Sequence, residues 1–330
     1  MKEENTYEAI AEVCEKEQDA LLEKQNVIGV GTGHKIKDGE DTGEPCIMVL
    51  VSQKLDPALL RGEDVVSKDI RGLKTDVLET GEIFAGGVLA PDDKEVSLKE
   101  EIGIEVLRQR VRPAMGGFSV AHYRVTAGTI GTCVYDISPF PGIPPRYYIL
   151  SNNHVLANSN NARIGDPVLQ PGPYDGGTIP RDIIARLSRF VPIRFKTPRS
   201  IPLNYVDAAL AEGEFHNLNR EIYWIGYVKD VNNRPKVGDI MEKTGRTTNF
   251  TTGKILAINA TVDVNYGSGR VARFARQIVT TNMSAGGDSG SLVLDTKECA
   301  VGLLFAGSSS VTIANLIVYV LRGLRIRLHP

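Results

Sequence analysis

Apolar and polar residues follow one pattern in the first third of the chain and another in the rest. Over residues 3–24, apolar residues recur at mostly helical spacing among charges, which predicts an amphipathic helix. The segments 26–37 and 44–54 are rich in valine and isoleucine around a polar loop, so they predict a hairpin. A further strand is expected at 75–84. These elements predict a small α+β unit that ends near residue 110.

From residue 112 onward, short apolar runs are interrupted by Gly, Pro, Asn and Asp. Such runs are typical of strands, and they fall at 129–135, 147–151, 206–211, 253–260, 275–281, 291–294 and 301–306. The one helix that we expect here is at 313–322. Many short strands with a terminal helix predict a mainly β barrel or sandwich. We therefore predict two domains, 1–110 and 111–330, with an exposed stretch at 90–98 as a candidate linker.

Charge separates the same two parts. The 330-residue chain has a net charge of only −2, but residues 1–110 hold 25 acidic and 14 basic residues, and the remainder holds 15 acidic and 24 basic residues. This asymmetry suits an acidic unit that docks on a basic one, or a basic unit with an acidic partner. Two solvated surfaces that never meet are an equally good interpretation.

Several classes of protein are not expected. No run approaches the roughly 18 apolar residues of a membrane span, so no membrane partner is predicted. The start of the chain is polar and unlike a signal peptide. The four cysteines are scattered without the spacing of a metal site, so we predict no disulfide, metal or cofactor. A reducing, cytoplasmic location follows as an expectation.

The stretch 283–291 is the first candidate for chemistry. Here Ser289 lies between glycines and is followed at once by an apolar strand. Gly287 and Gly290 allow backbone angles that a Cβ would forbid, so the N–H groups of Gly287 and Ser289 could point at one oxyanion. A surface turn rich in glycine and serine is the alternative interpretation.

A serine nucleophile needs a base, and the base needs an acid that orients it. His154 follows an apolar strand at the point where it ends, and Asp207 stands alone in an apolar run. A carboxylate buried there requires a partner, and an imidazole N–H is the natural one. Separately, His154 could be a satisfied core histidine and Asp207 a turn or strand-edge aspartate.

In the order His, Asp, Ser, these stretches resemble the trypsin-like (chymotrypsin-fold) serine proteases. Residues 150–155 (LSNNHV) resemble their base motif, 206–210 (VDAAL) their acid motif and 287–290 (GDSG) their nucleophile motif. Residues 243–262 and 301–308 resemble strands of the bacterial streptogrisin-type proteases, so the resemblance covers most of 112–330. Without disulfides and with an acidic N-terminal unit, the chain also resembles the plant narrow-leaf-type proteases and their bacterial relatives.

The resemblance implies a double β-barrel with the site between the barrels. In such a site His154 is the general base and acid, Asp207 orients it, and Ser289 attacks the scissile carbonyl. The N–H groups of Gly287 and Ser289 form the oxyanion hole, worth about 3 kcal/mol per donor. A protein or peptide substrate then binds as an added strand at its substrate-binding residues, which are Phe305, Ala306, Gly307 and, at the pocket, Met283.

Three residues depart from the family pattern. Many relatives have a serine at the position of Phe305, where it bonds the catalytic acid, so Asp207 is expected to be less well supported. Ser291 replaces a commoner glycine. Asp288 pairs with a newly cleaved N-terminus in zymogen-type relatives, whereas here we expect an internal partner.

Other functions remain as alternatives. The fold could be a catalytically weak module that binds peptides or partner proteins, because Phe305 breaks the pattern. A lipase-like hydrolase does not fit, since its triad order is reversed and Ser291 interrupts G-x-S-x-G. The basic stretch 181–199 is better explained as a charged loop or docking face than as a nucleic-acid site. An intracellular protease needs restraint, which the acidic domain or a homo-oligomer would supply.

Overall fold

The computed structural model describes residues 2–86, 105–137 and 147–329. The linker predicted at 90–98 lies outside the described residues. The α-helices are Lys2–Leu22, Asn153–Leu156 and Ile317–Leu324, with a helical segment at 105–108. Short 3₁₀ helices are Pro57–Leu59, Pro173–Asp175 and Phe215–Asn217.

Most strands are short, and the longest ones lie in the larger of the two sheets. In chain order they are β1 Val27–Lys37, β2 Glu40–Val51, β3 Asp69–Ile70, β4 Leu73–Glu79, β5 Phe84–Ala85, β6 Ala114–Gly116, β7 Ser119–His122, β8 Gly128–Thr129, β9 Thr132–Asp136, β10 Tyr147–Ser151, β11 Pro167–Leu169, β12 Ile183–Phe190, β13 Leu203–Asn204, β14 Ala209–Gly213, β15 Leu218–Ile222, β16 Asp230–Val231, β17 Ile240–Gly245, β18 Asn249–Asn265, β19 Val271–Thr281, β20 Leu292–Asp295, β21 Cys299–Gly307, β22 Val311–Leu316 and β23 Ile326–Arg327.

Two large sheets organise these strands. The first has eight strands in the order β23-β9-β10-β14-β12-β11-β7-β8. The second has thirteen, with the path β13-β19-β22-β21-β20-β17-β18-β1-β2-β4-β3 and with β5 and β16 beside it. One buried apolar cluster joins Leu150 and Leu210 of the first sheet to Leu292 and Leu303 of the second. The predicted mainly β fold with a C-terminal helix is confirmed, and its strands lie chiefly in two large sheets.

The N-terminal strands extend the second sheet. β1 pairs antiparallel with β18, with Gly29 opposite Val262. Glycines make this contact close: a Cβ on Gly29 would lie 2.9 Å from Val262 Cγ1, and one on Gly31 would lie 2.9 Å from the Ala260 Cβ. The glycines that interrupt β1 therefore serve strand packing.

Charged side chains also bridge the first 86 residues and the rest. Arg273 is almost fully buried and donates to Asp19 at 2.9 Å. Lys254 donates to Asp41, also at 2.9 Å. Residues 2–86 therefore contact the residues after 110 through strand pairing and through ion pairs. The division into domains at residue 110 stays a prediction.

Most predicted elements are present with shifted ends. The predicted helix at 313–322 is wrong in its first part, because Val311–Leu316 is a strand and the helix begins at Ile317. β-branched residues in this segment pair with β19 and β21, and this pairing outweighs the helical pattern. The strand predicted at 75–84 ends at Glu79, and Phe84–Ala85 forms a separate strand.

None of the helices within the described ranges is both long and apolar enough to cross a membrane.

Candidate active site

His154 and Asp207 meet at one end of the first sheet. β10 pairs antiparallel with β14, with Ser151 opposite Ala209, so the residues just outside these two strand ends become neighbours. The Nδ1 of His154 lies 2.7 Å from Asp207 Oδ2, and the His154 backbone N–H donates to Oδ1 at 3.1 Å. Asp207 is completely buried. Its carboxylate fixes the orientation of the imidazole and leaves Nε2 as the nitrogen available for chemistry.

Other residues hold Asp207. The Tyr266 hydroxyl donates to Asp207 Oδ2 at 2.7 Å, and the Asp207 backbone N–H donates to Asn315 Oδ1 at 2.9 Å. Burial, and then the neighbouring Asp207 charge, raise the pKa of Tyr266 well above its usual value. Tyr266 therefore stays protonated and remains a donor.

Tyr266 corrects an expectation from the sequence. Phe305 was expected to leave Asp207 less well supported, but Tyr266, the residue that follows β18, supplies a hydroxyl. Phe305 itself is fully buried and packs on Phe274 with a ring separation of 4.8 Å. Tyr266 stacks on the same Phe274 ring at 6.2 Å. This aromatic packing positions the Tyr266 hydroxyl, which the sequence motifs do not indicate.

The Ser289 turn requires its glycines. Gly287 and Gly290 have φ of +99° and +97°, in the left-handed region. A Cβ on Gly290 would lie 2.0 Å from Ser151 Oγ. The Thr129 backbone N–H donates to Ser289 O at 2.8 Å, which ties the turn to β8 of the first sheet. The nucleophile candidate is therefore held where the two sheets meet.

Hydrogen bonds also fix two peptide planes of this turn, the one between residues 286 and 287 and the one between residues 288 and 289. The Gly286 carbonyl accepts from Thr247 Oγ1 at 2.7 Å. The Asp288 carbonyl accepts from Ser291 Oγ, also at 2.7 Å. In a trans peptide the N–H points away from the carbonyl, so these bonds set the directions of the Gly287 and Ser289 N–H groups. Ser291, the departure from the commoner glycine, helps to hold this geometry.

Asp288 has the internal partner that was expected. Its carboxylate pairs with Lys243 Nζ at 3.3 Å, and both side chains are fully buried. Oδ1 accepts from the backbone N–H of Thr247 at 2.8 Å, and Oδ2 accepts from Ala285 N at 3.0 Å. Burial lowers the pKa of Lys243, and the Asp288 charge opposes that effect. The prediction of an internal partner is confirmed, and the partner is Lys243.

Ser289 and His154 do not share a hydrogen bond in this structure. The Ser289 hydroxyl, only 2% exposed, donates to the Phe305 carbonyl at 3.4 Å. His154 Nε2 is buried and makes no hydrogen bond to the described residues. Catalytic hydrogen bonds are often long before substrate binds, so this resting geometry is compatible with a serine and its base.

The predicted substrate-binding residues lie around β21. Ala306 and Gly307 form the end of that strand, beside Phe305. Met283 is buried in an apolar cluster with Ile255 and Leu304. In the described ranges, no group of three or more His, Cys, Asp or Glu side chains is arranged to hold a metal ion.

One curated protein is similar to this chain in sequence over a limited stretch. No protein-family profile matches the chain. A 77-residue stretch is 43% identical to glutamyl endopeptidase 2 of Streptomyces griseus, covering 23% of this chain and 32% of that protein. The chain thus spans about a third of the relative's length. Over that stretch the resemblance to trypsin-like serine proteases is confirmed.

Solved structures align over more of the chain. Thermobifida fusca protease A is 18% identical with a TM-score of 0.44, over 65% of this chain and 97% of that one. The Nocardiopsis protease is also 18% identical with a TM-score of 0.44, over 66% of this chain and 98% of that one.

Proposed function

We propose that the chain is a serine endopeptidase that cleaves peptide bonds through an acyl-enzyme. The observation that carries this proposal is the bond from His154 Nδ1 to the fully buried Asp207 carboxylate, together with a serine that lies between two glycines of positive φ. Similarity to a serine endopeptidase over 77 residues supports it and does not favour the alternative of a peptide-binding module. The cytoplasmic location, the docking of the acidic domain and a homo-oligomer stay predictions.

In the proposed reaction, Ser289 Oγ attacks the scissile carbonyl carbon while His154 Nε2 takes the hydroxyl proton. The oxyanion that forms is stabilised by the N–H groups of Gly287 and Ser289. His154 then gives its proton to the leaving amine as the C–N bond breaks. Water, activated by the same nitrogen, hydrolyses the Ser289 ester and releases the acid.

The function is tested with a mixed peptide library and stoichiometric protein, read by mass spectrometry. We expect the protein to cleave internal peptide bonds of the library. This cleavage should be lost when the protein is treated with a fluorophosphonate before the library is added. The pocket is expected to accept a neutral, apolar or medium-sized side chain before the cut bond, because Met283 and not an acid precedes Ser289 by six residues. A library left intact after long incubation would contradict the proposal.

Tyr266→Phe is expected to lower kcat about 10-fold with little change in KM. The substitution removes one hydrogen bond to the Asp207 carboxylate, and bonds to charged groups are worth about 1.5–3 kcal/mol. Steady-state kinetics on a cleaved library peptide measure the effect. Tyr227→Phe is the matched control, since Tyr227 is 53% exposed and its hydroxyl donates to Asn219 Oδ1 at 3.4 Å. Equal kinetics for the two variants would show that Tyr266 does not position Asp207.

A further inference from the structure

A segment of the chain lies on the edge where a substrate strand is expected. β5, Phe84–Ala85, pairs antiparallel with the end of β21, with Ala85 opposite Ala306 and Phe84 opposite Gly307. The backbone N–H of the next residue, Gly86, donates to the Phe305 carbonyl at 3.1 Å. Residues 84–86 therefore pair with the backbone groups of β21 to which a peptide substrate would bind by strand addition.

The segment reaches the nucleophile. The Phe305 carbonyl that accepts from Gly86 N also accepts from Ser289 Oγ, at 3.4 Å. One oxygen atom thus joins the Gly86 amide to the proposed nucleophile. A substrate that made the same amide contact in extended form would present its next carbonyl to Ser289.

Gly86 departs from that extended form. Its φ is +85°, in the left-handed region, whereas a continued strand has negative φ. A Cβ built on Gly86 meets no atom of the described residues within 4 Å, so glycine is required here for its backbone angle. The positive φ turns the Gly86 carbonyl off the path that an extended substrate would follow. The segment therefore occupies the site without presenting a substrate-like carbonyl.

Residues before the strand anchor it. Ile83 is 2% exposed in the apolar cluster that also contains Phe305. Its carbonyl accepts from Asn265 N at 2.9 Å, and the carbonyl of buried Thr80 accepts from Ser308 Oγ. The segment is thus attached to β18 and β21 at several points, independently of Ser289.

We propose that residues 83–86 are an inhibitor built into the chain, held uncleaved in the substrate groove, which an incoming extended peptide must displace. The inhibition rests on the proposed endopeptidase function. Because the segment is part of the same molecule, its effective concentration at the groove is on the order of millimolar or higher. A peptide that binds only weakly therefore does not displace residues 83–86 from the groove.

Gly86→Pro tests the proposal in the full-length chain. Proline has no N–H for the Phe305 carbonyl and cannot adopt a positive φ, so the segment should leave the groove. We expect kcat/KM for a short peptide to rise at least about 10-fold, the equivalent of about 1.4 kcal/mol. Gly86→Ala, which keeps the N–H but disfavours the φ, should give a smaller rise.

Gly72→Pro is the matched control. Gly72 also has a positive φ, of +82°, and also donates its N–H once, to Asp69 Oδ1 at 2.8 Å. A Cβ on Gly72 likewise meets no atom within 4 Å. This variant should leave kcat/KM unchanged. Equal rates for intact protein, Gly86→Pro and Gly72→Pro would overturn the inhibitor.

A binding measurement separates this proposal from the enzymatic one. With Ser289→Ala in the background, we expect Gly86→Pro to bind a fluorescent Ile-Phe-Ala-Gly peptide at least about 10-fold more tightly than the Gly72→Pro chain does. Unchanged affinity would overturn the inhibitor, whether or not the wild-type protein is an enzyme. Tighter binding without hydrolysis by the Ser289-containing form would overturn only the endopeptidase. An intact-mass spectrum that showed cleavage after Gly86 would contradict the proposal that the segment stays uncleaved.

Discussion

Replacing Ser289 by alanine is expected to reduce peptide-bond hydrolysis by about 10⁶-fold, because the proposed acyl-enzyme can no longer form. Stability should change little, since the hydroxyl makes only a 3.4 Å contact with the Phe305 carbonyl. Steady-state cleavage of a library peptide gives the rate, and thermal unfolding gives the stability. The two readouts together distinguish lost chemistry from lost fold.

Ser310→Ala is the control for this loss. Ser310 is an exposed serine in the loop between β21 and β22. It should keep wild-type activity. If Ser289→Ala retained a rate within a few-fold of Ser310→Ala, the nucleophile would be misassigned.

Lys243→Met is expected to destabilise the protein by about 3–5 kcal/mol, because it leaves the Asp288 carboxylate buried without its counter-charge. Both side chains are fully buried and 3.3 Å apart. The melting temperature should fall by about 5–10 °C or more. The Ser289 turn should be disturbed as well, since Asp288 accepts hydrogen bonds from both sides of it. Thermal unfolding and fluorophosphonate labelling report the two effects.

The double variant Lys243→Met with Asp288→Asn isolates the charge. Removing both charges of a buried pair is often nearly neutral, so stability should recover relative to Lys243→Met alone. The comparison is a double-mutant cycle read by denaturant unfolding. A double variant less stable than either single variant would show that packing, and not the buried charge, dominates at this position.

The sequence allowed the site to be predicted where its residues lie in short motifs. His154, Asp207 and Ser289 each stand out locally, as a polar residue at the edge of an apolar run or between glycines. The structure joins His154 to Asp207 and places Ser289 on a neighbouring turn. Asp288 was expected to have an internal partner because the sequence shows no obvious activation site that would supply a newly cleaved N-terminus, although the motif does not say which residue that partner is.

Long-range partners were not predictable. Tyr266 lies 59 residues from Asp207 and Lys243 lies 45 residues from Asp288, so neither has a sequence signal that links it to its carboxylate. The pairing of β1 with β18 joins segments more than 200 residues apart. Periodicity identifies strands but not their partners, and for the same reason Phe84 was predicted as the end of the strand at 75–84.

We propose that Ser289, His154 and Asp207 act as one catalytic group. Fluorophosphonate labelling of the full-length Gly86→Pro chain tests this proposal. Labelled protein is digested and the mass of the Ser289 peptide is compared with that from the same chain carrying His154→Ala. We expect one adduct on Ser289 when His154 is present and none when it is absent. No adduct in either chain, or equal labelling in both, would contradict it.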